Sequence, residues 1–107
     1  MGKFIISKRK NGQFQFNLKA KNHQIILTSE GYTTKASCEN GIASVKKNSK
    51  DLSKFEKKTA RNGKYYFNLK ASNGQIIGTS EMYESSSGRN NGVKSVQQNA
   101  PIANIES

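Results

Sequence analysis

Residues 14–20 read FQFNLKA, and residues 65–71 read YYFNLKA. In both stretches apolar residues alternate with polar ones, which is typical of a strand with one buried face. A shift of 51 positions brings the two stretches into register. The sequence therefore predicts one amphipathic strand that occurs twice, with Phe16 and Phe67 on the buried side.

The repeat extends over nearly the whole chain. The same shift aligns NG at 11–12 with 62–63, QII at 24–26 with 75–77, TSE at 28–30 with 79–81, Tyr32 with Tyr83, NG at 40–41 with 91–92, and SV at 44–45 with 95–96. Two units that cannot each bury an apolar face alone are expected to pack about a pseudo-twofold axis. We predict one domain over residues 1–107, with repeats at 3–52 and 53–107.

Turn residues place a hairpin after each alternating strand. Residues 73–74 are Asn-Gly, which favours a two-residue type I′ turn, and the first copy has Asn-His at 22–23. In the first copy this turn pairs Leu18 with Leu27 and Ala20 with Ile25.

The hairpin before each alternating strand needs one extra residue. Without it, Phe55 falls on the polar face, while Glu56 and Lys58 fall on the buried one. We therefore expect a bulge or a longer loop at Gly12 and Gly63.

A helix is expected near the end of each copy. Apolar spacing marks one stripe in the first copy, Cys38, Ile42 and Val45, and the matching positions in the second are Arg89, Val93 and Val96. The N-cap candidates are Thr33, Thr34, Ser85 and Ser86. Pro101 ends the second helix, and residues 102–105 can add a short strand.

These motifs together closely resemble the YegP-like family of small bacterial proteins, over residues 3–102. The resemblance implies an α+β fold of two β-β-β-α-β units, with one continuous antiparallel sheet and both helices on one face. It also implies that the strand after each helix is exchanged between units, so that residues 53–59 serve both halves. It implies no biochemical activity. The basic first copy and Arg89 depart from the shared motif.

The chain is strongly basic, with 18 Lys and Arg against 7 Asp and Glu, a net charge of +11. Residues 1–50 contribute 10 − 2 = +8, and residues 51–107 contribute 8 − 5 = +3. Such a charge attracts nucleic acid, anionic lipid or acidic proteins. The alternative interpretation is that the charge serves only to keep the protein soluble.

The single cysteine, Cys38, cannot form an internal disulfide, which fits a reducing compartment. The first apolar run, Phe4-Ile5-Ile6, is interrupted by basic residues, so no secretory signal is predicted. No apolar stretch is long enough to span a membrane. We therefore expect a cytoplasmic protein.

No catalytic or cofactor motif emerges from the sequence. His23 fills a turn position, and a metal site would need two or more further ligands, whereas Cys38 is the only other Cys or His in the chain. Cys38 is interpreted as a buried apolar residue or, with a base nearby, as a nucleophile. Glu30 and Glu81 are interpreted as helix-capping groups or as an acid–base pair across the axis. We expect no metal, no cofactor and no enzymatic activity.

The polar face of the predicted sheet is the remaining candidate for function. Its members are Gln15, Asn17, Lys19, Gln24 and Thr28, with Ile26 as the one apolar residue, and in the second copy Tyr66, Asn68 and Lys70. A solvated face is one reading of this pattern. The others are a module that binds a macromolecule or a second copy through this face or a sheet edge, and weak sequence-independent binding of nucleic acid. Candidate binding residues are Lys8, Arg9, Lys10, Lys19, Lys21, Tyr66 and Lys70.

Overall fold

A computed structural model describes residues 2–106 of the protein. The first repeat forms β1 (Lys3–Lys8), β2 (Phe14–Lys19), β3 (Ile25–Thr28) and α1 (Lys35–Asn48). The second forms β4 (Phe55–Thr59), β5 (Tyr65–Lys70), β6 (Ile76–Thr79), α2 (Ser86–Asn99) and β7 (Asn104–Glu106). A short 3₁₀ turn follows each helix, at Leu52–Lys54 and Ala100–Ile102.

The seven strands form one sheet in the order β4-β5-β6-β3-β2-β1-β7. The two repeats meet where β3 pairs with β6, at Thr28 and Thr79, and this pairing lies on the pseudo-twofold axis. The predicted α+β fold with one continuous sheet is confirmed. Its first six strands are antiparallel, whereas β7 pairs with β1 in parallel, so the complete sheet is mixed.

The strand after each helix crosses to the other repeat. β4 follows α1 and pairs with β5, from Phe55 opposite Leu69 to Thr59 opposite Tyr65. β7 follows α2 and returns to β1, where Ile105 lies opposite Phe4. Within residues 53–59, β4 thus follows the first helix in the chain and pairs with β5 of the second repeat.

The core lies between the sheet and the two helices, on one face of the sheet. Each repeat contributes an edge-to-face phenylalanine pair, Phe4–Phe16 and Phe55–Phe67, both with ring centroids 5.6 Å apart. The predicted helix stripes close the core from above, with Cys38, Ile42, Val45, Val93 and Val96 all buried. α1 packs on β2 and β6, whereas α2 packs on β5 and β3, so each helix covers strands of both repeats.

All four tight hairpins share one loop geometry, which differs from the type I′ turn predicted for the β2–β3 and β5–β6 hairpins. In the β2–β3 loop the Ala20 N–H donates to the Gln24 carbonyl and the His23 N–H donates to the Ala20 carbonyl. His23 has a φ of 69°, and Asn22 is not among the residues with positive φ, whereas a type I′ turn requires two in succession. The loop therefore has three residues.

The extra loop residue sets the pairing register beside each hairpin. Gly12 and Gly63 have φ values of 87° and 84°, and each closes a three-residue loop, so the predicted one-residue correction is confirmed. Leu18 pairs with Leu27 as predicted. The predicted partner of Ala20 was wrong, because a bulge after Leu18 places Ile25 opposite Lys19.

A tyrosine precedes each helix and packs over a glycine within it. A Cβ built on Gly41 would collide with the hydroxyl of Tyr32 and lie 2.6 Å from its Cζ. Tyr83 and Gly92 repeat this arrangement, with the same 2.6 Å separation. This contact explains why both helices contain a glycine at this position, although glycine destabilises an isolated helix. The N-caps are Thr34 and Ser85, which are two of the four predicted candidates.

Candidate binding surface on the open face of the sheet

The face of the sheet opposite the helices, called the open face here, is crossed by a polar row. Asn17, Thr28, Thr79 and Asn68 follow one another across four neighbouring strands. The Thr79 hydroxyl donates to the Asn68 side-chain oxygen at 2.8 Å. The row is centred on the pseudo-twofold axis and includes Asn17 and Asn68, which the sequence placed on this face.

An isoleucine lies on either side of the polar row, and both are almost fully buried. Ile26 precedes Leu27, which points toward the helices, so strand alternation places Ile26 on the open face. Ile77 holds the matching position in β6, and the two are 5% and 8% exposed. Ile77 is thus the counterpart, in the second repeat, of the isoleucine that the sequence placed on this face.

One flank of the polar row carries lysines and a tyrosine. Lys3 and Lys19 lie directly opposite each other on β1 and β2. Lys58 and Tyr66 do the same on β4 and β5. Ile26 lies between these two pairs. The term lysine–tyrosine row is used for Lys3, Lys19, Ile26, Tyr66 and Lys58 together.

The other flank is related to the first by the pseudo-twofold axis but carries different side chains. Gln15 replaces Tyr66, and Ser7, opposite Gln15, replaces Lys58. Lys70, the counterpart of Lys19, donates to Glu56 at 3.1 Å. The hydrogen bond from Lys70, followed by that from Asn68, lowers the pKa of Glu56. The charge of Lys70 is thus partly compensated within the protein.

The structure brings together three of the seven predicted binding residues. Lys19, Tyr66 and Lys70 all lie on the open face, as strand alternation requires. Lys8 points the other way, because its Nζ lies 5.5 Å above the ring of Phe14 on the helix side. Lys3 and Lys58 were not among the predicted binding residues.

The remaining three lie in hairpins at opposite ends of β2. Arg9 and Lys10 belong to the β1–β2 hairpin, and Lys21 to the β2–β3 hairpin. The Arg9 guanidinium donates from Nε to Gln15, a residue of the open face, and from Nη2 to the Ser29 carbonyl at 3.5 Å. The seven residues therefore do not form one patch.

The fold does not bring together the residues that the sequence offered as catalytic candidates. His23 is exposed in its loop, whereas Cys38 is buried and its pKa is raised by burial. Glu30 and Glu81 line two separate open grooves related by the axis. Neither glutamate is an N-cap, so the predicted capping role is wrong, because Thr34 and Ser85 accept those backbone N–H groups instead.

The serine of each TSE motif has a structural role that sequence reasoning missed. The buried hydroxyl of Ser29 accepts from the Phe16 N–H at 2.9 Å and donates to the Glu30 carbonyl at 2.8 Å. Ser80 makes the equivalent bonds to Phe67 and Glu81. Both copies retain the serine, and this repetition was the available signal.

Within residues 2–106, no three His, Cys, Asp or Glu side chains are grouped in a way that could hold a metal ion. Neither of the helices found there has the length and apolar character needed to cross a bilayer.

Comparison with known proteins agrees with the fold and the duplication. The chain belongs to the family defined by the domain of unknown function DUF1508, whose pattern matches twice, at residues 10–56 and 60–107. It is 56% identical over 105 residues to the UPF0339 protein YegP of Escherichia coli K12. A UPF0339 protein of Acinetobacter baylyi is 53% identical over 105 residues, which cover 98% of this chain and 95% of that protein.

Two solved structures are similar to this chain over 98% of its length. The solution NMR structure of the UPF0339 protein SO3888 from Shewanella oneidensis has a TM-score of 0.93 at 51% identity, and 89% of it is covered. That of yegP from E. coli, described as a protein of unknown function, has a TM-score of 0.93 at 52% identity, and 90% of it is covered. The family has no assigned biochemical function.

Proposed function

We propose that the protein is a non-catalytic interaction module that binds another macromolecule through the open face of its sheet. The observation that carries the proposal is the composition of this face. Apolar, aromatic, amide and charged side chains lie there on rigid strands without helices over them, and such a mixture suits recognition better than catalysis. We also propose that residues 1–107 form one domain of two repeats, 3–52 and 53–107. The single sheet that both repeats share supports this division.

Affinity capture from bacterial lysate, with and without nuclease, tests the proposal. The open-face variant Asn17→Arg should lose the captured partner, since a long charged side chain blocks the centre of the face. Lys47→Ala, an exposed position on α1, is the control and should retain it. Circular dichroism of each variant verifies folding. Equal capture by the wild type and Asn17→Arg would refute a role for this face.

Weak binding of polyanions is a second candidate, which the charge distribution favours. The 18 basic side chains form three ion pairs among residues 2–106, namely Lys3–Glu106, Lys64–Glu84 and Lys70–Glu56. The chain has 7 acidic residues against 18 basic ones, and the resulting net charge of +11 attracts an external anion. Replacing Lys8, Arg9 and Lys10 with Ala should weaken nucleic-acid binding and its salt dependence if the basic first repeat is responsible. Unchanged binding would dismiss that role.

A cytoplasmic location is part of the proposal. Its support is the single cysteine, because chains from oxidising compartments usually pair their cysteines. Fractionation of cells that express a tagged chain tests it, and recovery in the periplasmic fraction would refute it.

A further inference from the structure

We infer that the lysine–tyrosine row is a binding track for single-stranded nucleic acid. The inference rests on the proposed use of the open face and names its ligand class. The row consists of Lys3, Lys19, Ile26, Tyr66 and Lys58, and it draws on both repeats.

The register gives the row its length and direction. Lys19 lies on β2, and Lys58 lies four strands away on β4, beyond β3, β6 and β5. With strands about 4.8 Å apart, the two amino groups are carried on backbones separated by about 19 Å. A chain of phosphates that crosses the strands can therefore contact lysines at both ends of the row.

The side chains between the lysines suit unpaired bases. Tyr66 is partly exposed beside Lys58, and an aromatic ring on an open sheet offers a surface on which a base can stack. Ile26 lies beneath the row between Lys19 and Tyr66 and is only 5% exposed, so it contributes little surface of its own. Paired bases are already stacked inside a duplex and cannot use Tyr66 in this way, so the row favours single strands.

The matching flank does not offer the same chemistry. It has Gln15 where the row has Tyr66, Ser7 where it has Lys58, and a lysine bound to Glu56 where it has Lys19. The pseudo-symmetry thus supplies an internal control, because the two flanks have equivalent backbone arrangements and carry different side chains.

Two carboxylates oppose an anionic ligand on the row. Glu106 forms an ion pair with Lys3 at 2.7 Å, and Glu81 lies in the groove that contains Ile26. Removing the Glu81 charge should therefore strengthen binding. This expectation distinguishes an anionic ligand from a cationic one, because the latter would lose affinity in Glu81→Gln.

Fluorescence anisotropy with a labelled oligothymidylate, at several salt concentrations, tests the inference. Lys19→Ala and Lys58→Ala should each reduce the log–log salt slope by about 0.7. Tyr66→Ala should weaken binding about 10-fold, and Tyr66→Phe should restore it. Gln15→Ala, at the matching position, should leave the affinity unchanged. A duplex of the same length should bind more weakly than the single strand.

Several results would overturn the inference. They are equal binding of single strand and duplex, wild-type affinity of Tyr66→Ala, or an equal loss in Gln15→Ala and Tyr66→Ala. If the oligonucleotide does not bind but Asn17→Arg still loses a nuclease-resistant protein partner, the track is wrong and the proposed function stands. If Asn17→Arg affects neither measurement, both are wrong.

Discussion

The ring of Tyr32 occupies the space that a side chain on residue 41 would need, and so the glycine in the middle of α1 is a packing requirement. Helix propensity alone predicts that Gly41→Ala stabilises the protein by about 1 kcal/mol. We expect the opposite sign, a loss of about 1–2 kcal/mol in the free energy of unfolding, because overpacking a core site outweighs that gain. Urea denaturation measures the difference.

Gly88→Ala serves as the control for this prediction. Gly88 also lies in a helix, but a Cβ there would meet its nearest neighbour, the Ser85 hydroxyl, at 3.2 Å. We expect Gly88→Ala to be neutral or stabilising. If Gly41→Ala and Gly88→Ala change stability equally, the tyrosine is not the reason for the glycine.

Leu27 and Gly78 occupy matching positions and fill one space between them. A Cβ on Gly78 would lie 2.7 Å from both Cγ and Cδ2 of Leu27. Gly78→Ala alone should be destabilising by about 1–3 kcal/mol, and Leu27→Ala alone by about 2–5 kcal/mol. The double variant should lose less than the sum, because the new methyl group partly fills the cavity. Additive losses in a double-mutant cycle would contradict this complementarity.

Ser29 and Ser80 each satisfy a buried backbone N–H, on Phe16 and Phe67 respectively. Ser29→Ala and Ser80→Ala should each lower the free energy of unfolding by about 1–3 kcal/mol, since the N–H loses its partner. Ser7→Ala, on an exposed strand position, should have little effect. Equal stability of all three variants would show that water replaces the hydroxyl.

Alkaline pH should destabilise the fold through its two packed tyrosines. Burial is the largest cause that raises the pKa of Tyr32 and of Tyr83 above the ordinary value of 10.0. A raised pKa in the folded state means that the stabilising contribution is present below pH 10 and is lost as pH rises through the folded-state pKa. Tyr32→Phe/Tyr83→Phe should flatten this part of the stability profile. Absorbance at 295 nm, compared between the wild type and the double variant, isolates the titration of Tyr32 and Tyr83. Ionisation of these two at the ordinary value would contradict the prediction.

His23 adopts a backbone conformation that favours glycine, with φ at 69°, and the matching residue is Gly74. His23→Gly should leave stability unchanged or raise it by up to about 1 kcal/mol, because relief of strain competes with the greater freedom of the unfolded chain. Gly74→Val should be clearly destabilising. Thermal unfolding measures both variants, and a tolerated valine would mean that the loop changes type.

The fold was predictable because its strongest signals are periodic and occur twice. Strand alternation placed Phe16, Phe67 and Tyr66 on their correct faces, and the helix stripes located the core residues of α1 and α2. The loop type was not predictable from Asn-Gly, since that pair serves both two-residue and three-residue hairpins. β7 has three exposed residues and too little pattern to reveal its parallel pairing.

The candidate site was only partly predictable. Lys19 and Lys70 followed from alternation, whereas Lys8 was grouped with them as a residue of the adjacent hairpin end and points to the other side. Lys58 was missed although the signal existed. The extra loop residue at Gly63 that corrects the position of Phe55 also moves Lys58 to the open face. The polar row depends on the pairing of β3 with β6, which no local pattern specifies.

The unequal pair at the axis, Leu27 and Gly78, makes each half of the chain selective for the other. If either half met a second copy of itself, two leucines would compete for one space or two glycines would leave it empty. The two repeats are therefore complementary at this position and are not interchangeable in packing.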